Sequence, residues 1–543
     1  MKRYIFSITA MLVCGTLLAQ EDTRNAVVSV ENDYNPTVVS VNKKNFTPTV
    51  EMKSNAQPSE LVFSKQTTPY TGFTSERDAK DVLPSQERTL PGYLRVGYGI
   101  RNDIDAKLAY NLNFGKKSYL RLLGAFDGFN TRGVPGKVDE WKSRMYNTSA
   151  AADFAYKFKK LTFGINGDFN NRVLNYQKAG DLNGLSDRQH RMNYNVGMTG
   201  VSQLAGPFAY TFQARYIHSV MSYAAGVESP LTEEHINAGT VLSHEIYTKY
   251  LRSAGVEIDF NGFIYNSALN VCKNYLSMDF NPFTNFNFND WKFKFGAKFN
   301  FRTNNGPVLA VAPDITVDKV LTKRISFYAH VTGGRKDNSL RSIENIAPYW
   351  GYSALDGRLA KPTYRIVDIV AGTRMTLEPL SFDVFAGYVL TKDDLLPALT
   401  IENNLIYTTF AQGLTNNAYA GARIGYDCGG WLNVAADARY DYWTCKNKDF
   451  LKLKPEVTAN AKIEVRPIKH LTVKLGYNFT RYTKGESERI NDKHDLHARV
   501  SYSINRYVGA FIQGDNLLNA KYYEYAGYQT RGIRGMLGAT VNF

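Results

Sequence analysis

The segment "DWKFKFGAKFNFR" admits few folds. Trp291, Phe293, Phe295, Ala297, Phe299 and Phe301 fall on one face of an extended chain, and Lys292, Lys294, Gly296, Lys298, Asn300 and Arg302 fall on the other. A soluble sandwich would not repeat such a line of large aromatics, opposite so many lysines, in strand after strand. A transmembrane barrel requires it, with the apolar face toward lipid and the polar face toward water. The same alternation runs through "LTVKLGYNFTRYT" (Leu471, Val473, Leu475, Tyr477, Phe479) and "LHARVSYSI" (Leu496, Ala498, Val500, Tyr502, Ile504). It returns at the very end, where Ile533, Leu537, Ala539, Val541 and Phe543 oppose Arg534, Thr540 and Asn542.

Beyond the first nineteen residues no apolar run approaches the roughly 20 residues that a membrane-spanning helix needs. In lipid only helices and closed sheets satisfy every backbone N–H and C=O, so a closed sheet is expected. Tight turns near Gly115, Lys157, Leu204, Asn289, Thr322, Leu377, Cys428, Arg466 and Ile504 alternate with long polar stretches at 130–144, 175–190, 222–234, 337–363, 393–416 and 519–531. Bacterial barrels have that asymmetry, with short periplasmic turns and long outer loops. The reading is all-β: a transmembrane antiparallel β-barrel of about 22 strands, each of about 12–16 residues. The run "IENNLIYTTFAQG" is assigned to a long outer loop, which keeps the strand count even.

Three regions are expected. Residues 1–19 read as a signal peptide, with Lys2 and Arg3 ahead of an apolar run too short to span. Residues 20–90, rich in Pro, Thr, Ser, Asn and Gln, read as a short extended N-terminal segment in the periplasm, and 91–543 as the barrel. The location is then the outer membrane of a Gram-negative bacterium, with lipid and lipopolysaccharide as surroundings. Net charge is +15, which in a soluble protein would suggest nucleic acid. An exported protein rarely meets nucleic acid, so none is expected as a partner. The basic residues instead follow strand polar faces and turns, where they suit anionic solutes or lipid head groups. Cys272, Cys428 and Cys445 remain after export, an odd count that argues against a disulfide framework. Cys428 and Cys445 should sit at opposite ends of one strand, about 40 Å apart at ~3.3 Å per residue.

The closing stretch "GDNLLNAKYYEYAGYQTRGIRGMLGATVNF" resembles the ending of the TonB-dependent receptor family. Asn516, Leu517, Asn519, Tyr522, Tyr523, Arg531, Gly532 and Phe543 carry the likeness: an N-L-x-N element, an aromatic loop, an R-G entry and a terminal Phe strand. The resemblance implies a receptor barrel for transport or uptake across the outer membrane, with Phe543 as the signal read by the barrel-assembly machinery. The chain departs from the family at its front, where some seventy residues stand in place of a plug domain of well over a hundred. "NAVVSVEND" there reads as a strand that contacts a periplasmic partner protein, as part of an extended periplasmic tail, or as part of a tail that folds back and obstructs the lumen.

Two further functions stand beside uptake: a non-transporting scaffold or subunit of an envelope complex, and a passive porin. The outer-loop candidates for a solute or surface partner are Tyr349, Trp350, Tyr352 and Arg358, together with Tyr522, Tyr523 and Tyr525. Aromatics beside cations suit small molecules or oligosaccharides, and equally suit packing a loop onto the rim. The tyrosines before the last strand also suit the membrane–water interface. Lys292, Lys294, Lys298 and Arg302 are the lumen cations. No enzyme is expected, since "HDLH" (His494, His497) spaces its histidines onto opposite faces of a strand. Glu233–His235 and Asp393–Asp394 likewise lack the partners of a catalytic set. No cofactor or metal is expected.

Overall fold

The computed structural model describes residues 90–132, 142–182, 186–202, 207–222, 230–246, 248–266, 273–351, 360–486 and 489–543. Among them, 22 antiparallel strands form one closed ring. Gly92–Gly99 opens the ring and Arg534–Asn542 closes it, paired from Tyr93↔Asn542 to Gly99↔Met536. The terminal residue joins the ladder. The Gly92 N–H donates to the Phe543 carbonyl at 2.8 Å, and the Phe543 N–H donates to the Gly92 carbonyl at 3.0 Å. Closure leaves no sheet edge unpaired, as a lipid environment demands.

The two faces separate as the alternation predicts. Phe295 and Phe301 are 43% and 38% exposed on the outer surface. Their neighbours Lys294, Lys298 and Arg302 turn inward onto Asp314, Thr332 and Asp337. Val196, Tyr216, Ile424, Tyr442 and Leu537 extend the exposed apolar band around the ring.

The inner wall is laced by asparagine amides that donate to aspartates, mostly on adjacent strands. Asn147 reaches Asp127 (3.0 Å), Asn300 reaches Asp279 (2.7 Å), Asn417 reaches Asp441 (2.8 Å) and Asn460 reaches Asp437 (2.9 Å). Large inward rings lie flat on the wall where a glycine leaves room. A Cβ at Gly421 would come within 2.6 Å of the Phe385 ring and 2.7 Å of the Ala438 carbonyl oxygen. Arg423 and Arg439 then stack over Phe385 and Tyr419 at 4.5 and 3.8 Å from the ring centroids.

Among the described residues, eight of the nine predicted tight turns lie at the end of the barrel that holds Gly92 and Phe543; the ninth, near Leu204, lies outside the described residues. The opposite end carries most of the longer connections, although the first two strands are joined there by only the three residues Ile100–Asn102, and one expected loop needs correcting. Residues 393–416 are not a loop. Leu380–Glu402 and Leu405–Cys428 run as strands of 23 and 24 residues and stay paired to Glu402↔Leu405. The turn residues Asn403 and Asn404 both have positive φ (51° and 57°), the geometry of a two-residue hairpin turn whose twist matches the strands. "IENNLIYTTFAQG" is therefore neither an extra barrel strand nor irregular loop. It is the tip of a hairpin that overshoots the barrel. Strand lengths accordingly run from 8 to 24 residues, wider than the 12–16 expected. Cys428 and Cys445 are both free and lie toward opposite ends of their hairpin, as the spacing argument requires.

The signal peptide, the segment 20–89 and "NAVVSVEND" lie outside the described residues, as does Cys272. The described residues all belong to one compact unit, Gln66–Phe543.

Candidate functional site

At the long-loop end, three elements fold over the mouth and pack on one another. The first is the overshooting hairpin. Its register shifts between Thr391 and Asp394, where Asp393 takes a φ of +53°, and such bulges bend a strand. Beyond the bend the tip crosses to the far wall. Leu405 and Ile406 pair with Lys178 and Gln177, the Asn404 amide donates to the Asp181 carbonyl at 2.6 Å, and the Ala179 N–H donates to the Asn404 carbonyl at 2.7 Å. Leu161–Asn175 is the fifth strand of the ring and Leu405–Cys428 the sixteenth. Eleven places apart in a ring of 22, they stand on opposite walls.

The second element follows Lys336. Asp337 is held by Arg302 and Arg335, and Ser339 caps the short helix Leu340–Ile346 by accepting from the Ser342 N–H at 3.2 Å. Leu340, Ile343 and Ile346 turn down onto Met221, Leu231, Phe263, Tyr275 and Leu395 of the wall and hairpin. Glu233 accepts the Leu340 N–H at 2.7 Å, and Glu344 lies between Arg172 and Arg191 at 3.3 and 3.7 Å. The Trp350 carbonyl accepts from the Tyr176 hydroxyl (2.6 Å) and from Arg191 (3.1 Å), and Trp350 forms a parallel bridge to Thr408 of the hairpin.

The third element is the tyrosine loop before the last strand. Asn516 and Asn519, both at positive φ, tie its base: the Asn516 amide donates to the Ala520 carbonyl, and Asn519 accepts from the Ile533 N–H. These are two residues of the N-L-x-N element. Arg531 pairs with Asp103 and stacks 3.4 Å over Phe129, which joins the loop to the first strands. From this base Tyr525 and Tyr528 reach inward. Tyr528 stacks on Tyr349 at 3.7 Å and donates its hydroxyl to the Ile406 carbonyl at 2.7 Å, and Tyr525 meets Tyr349 edge-on at 5.6 Å. Leu174, Tyr176, Leu405 and Tyr407 complete this cluster. The result is a roof with its own apolar core.

The candidate residues are now placed. Tyr349 and Trp350 are 5% and 1% exposed and, with the buried Tyr525, belong to the roof's apolar core, while Tyr522 is buried at the base of its loop with Lys493 over its ring. The tyrosine loop does not lie at the membrane interface, because it turns inward over the mouth. Tyr523 is half-buried at the start of the short strand Tyr523–Tyr525. Tyr352 and Arg358 lie outside the described residues. Among the lumen cations, Lys294 pairs with Asp314 at 2.6 Å, Lys298 donates to Thr332 at 3.0 Å, Arg302 pairs with Asp337, and Lys292 stands exposed near a tight turn. Phe543 ends the closing strand, its ring stacked 5.8 Å from that of Tyr110.

His494 bonds to Tyr477, His235 to Asn261, and Asp394 to Lys454 and Thr415. Among the described residues no group of His, Cys, Asp and Glu is arranged to hold a metal. Sequence reading missed the crossing hairpin and the Arg172–Glu344–Arg191 contact. Only the Asn-Asn pair at its tip signalled the hairpin. The ion contact joins residues about 150 or more positions apart and leaves no local mark.

No family model and no curated protein matches the chain. Solved structures do. The closed form of the ferric-catecholate import receptor Fiu from Escherichia coli K12 aligns over 84% of this chain and 82% of its own, at 12% identity and a TM-score of 0.62. The ferric enterobactin receptor PfeA from Pseudomonas aeruginosa aligns over 83% and 80%, at 11% identity and 0.63. The siderophore receptor PirA from Acinetobacter baumannii aligns over 85% and 81%, at 10% identity and 0.64. The closed 22-strand barrel is thus the fold of TonB-dependent siderophore receptors.

Proposed function

We propose that this protein is an outer-membrane uptake receptor whose mouth is closed at rest by the roof and opens for a small-molecule solute. The observation that carries the reading is the hairpin that spans from one wall to the opposite one within a receptor-type barrel. A passive porin needs an open path, and a roof with its own apolar core argues against one. The similar solved structures are named as a ferric-catecholate import receptor, a ferric enterobactin receptor and a siderophore receptor. The exposed Lys292 and Lys462 on the inner wall here suit a solute that carries negative charge.

A second reading is favoured by the roof's packing. Leu396 and Leu405 at 0% exposure and Trp350 and Tyr407 at 1% resemble a permanent core more than a moving lid. A scaffold whose lumen never opens would look like this. Planar-bilayer conductance separates the readings, using the mature chain, a form lacking 22–90, and a form whose hairpin is cut back from 395–410 to a tight turn. Gated uptake predicts a closed mature chain that conducts once the obstruction is removed. If a fourth form, lacking 22–90 and with the hairpin cut back as well, also stays closed, the scaffold reading replaces it. An open mature chain would leave only the porin.

A further inference from the structure

Two tight turns, 115–117 and 158–160, stand side by side on the rim, where the Lys157 N–H donates to the Lys117 carbonyl at 2.7 Å. Together they expose Lys116, Lys117, Lys157, Lys159 and Lys160. None of these five side chains has an ion-pair partner among the described residues. Like charges set side by side destabilise a sheet rim unless an outside group of opposite charge relieves them.

The acids nearby do not supply that relief. Asp153, on the same strand as Lys157, is taken up by Arg121 at 3.0 Å. The next turn along the rim, 203–207, has no charged residue in the sequence. On the other flank the Phe543 carboxylate ends the closing strand, and the first strand separates it from Asp103–Phe114. Other cationic turns differ. Lys323 and Arg324 stand between the turns of Asp290 and Glu378, tied to them by the bonds from the Val320 N–H to the Asp290 carbonyl (3.1 Å) and from the Thr376 N–H to the Arg324 carbonyl (2.8 Å).

The apolar neighbours fix the depth of the cluster. Phe114, on the same face of its strand as the exposed Leu108, is 55% exposed, and Phe158 is 51% exposed with its ring 4.5 Å from that of Tyr156. Aromatic rings on the outer face settle at the boundary between acyl chains and water, where lipid phosphates lie. The adjoining lysines are then level with those phosphates, and their long stems let the ammonium groups reach outward.

We infer that this lysine cluster is a docking site for anionic phospholipid head groups of the phosphatidylglycerol type, in the leaflet that surrounds the tight turns. Each lysine near such a surface adds attraction, while Phe114, Tyr156 and Phe158 lie against the acyl chains beside it. The inference rests on the barrel lying in a membrane and is independent of whether it transports.

The test reconstitutes the mature protein in nanodiscs of phosphatidylethanolamine and phosphatidylglycerol in equal parts, releases it into mild detergent and weighs it by native mass spectrometry. Phosphatidylglycerol should be retained several-fold over phosphatidylethanolamine, and the preference should fall as salt is raised. A variant carrying Lys116→Gln, Lys117→Gln, Lys159→Gln and Lys160→Gln should lose the preference. A control with the same charge removed elsewhere on the rim (Lys249→Gln, Lys323→Gln, Arg324→Gln and Lys469→Gln) should keep it. The altered side chains are exposed, and heat-modifiable migration on gels checks that each variant forms its barrel. Equal retention of the two lipids by the unaltered protein would overturn the site, and that comparison needs no variant. A preference that survives in the first variant, or that the control loses to the same extent, would overturn it as well.

Discussion

Glu524 sits in the tyrosine loop with one carboxyl oxygen buried and without a hydrogen-bond partner. Burial pushes its pKa above the ordinary 4.5, against the pull of Arg531, Arg534 and Lys493. The folded roof thus holds this proton more tightly than the unfolded chain does. The group's contribution to stability is fully present below the ordinary value and is lost as pH rises through the folded one. Amide exchange in the segment Tyr523–Tyr525, corrected for its intrinsic pH dependence, should be slower at pH 5 than at pH 8. Glu524→Gln should erase the difference; slower exchange at pH 8 would mean the carboxylate is the favoured form. On the inner wall, Gly421→Ala puts a methyl against a backbone oxygen and the Phe385 ring at once. We expect a loss of about 1–3 kcal/mol in denaturant unfolding, the usual range for overpacking. An unchanged midpoint would show that the ring moves aside at no cost. The glycines were visible in the sequence, but not the rings that lie over them, because that pairing depends on register across strands.

At the scale of elements, the strands themselves were legible. A period of two with aromatics on one side and lysines on the other allows one environment, and eight of the turns between such runs fell where expected, while the one between Glu245 and Leu251 was missed. The long elements were not. Residues 393–416 carry charges and polar residues at their start, which reads as loop, while pairing across Ile401↔Ile406 and Leu399↔Thr408 makes them sheet. "NN" between two β-rich runs was the available cue. The tyrosines of the last loop read equally as interface anchors or as packing, and only their partners from distant segments decide between them. The hairpin tip depends on its turn. Replacing Asn403 and Asn404 with alanine forces two side chains into a conformation they disfavour, at a cost of roughly 1–2 kcal/mol each. Hydrogen exchange should accelerate from Thr400 to Thr409 and leave the barrel portion of both strands protected. Uniform loss along both strands would contradict a locally stabilised tip.

For the whole molecule, the receptor-type ring supplies a wide lumen, and three elements from distant parts of the chain close its outer end. Composition could announce the ring, since every strand repeats its pattern. It could not announce the roof, which is built from single contacts such as Tyr349 on Tyr528 and Asn404 on Asp181. The most direct test is a distance across the mouth. Spin labels at Glu402→Cys and Ala179→Cys, in a background with Cys272, Cys428 and Cys445 changed to serine, report on the hairpin tip and the opposite wall in native outer membrane. The account predicts a short, narrow distance distribution in the resting protein. A distribution centred on the width of the barrel would show the tip standing clear of the far wall, and the roof, with the gating built on it, would fall.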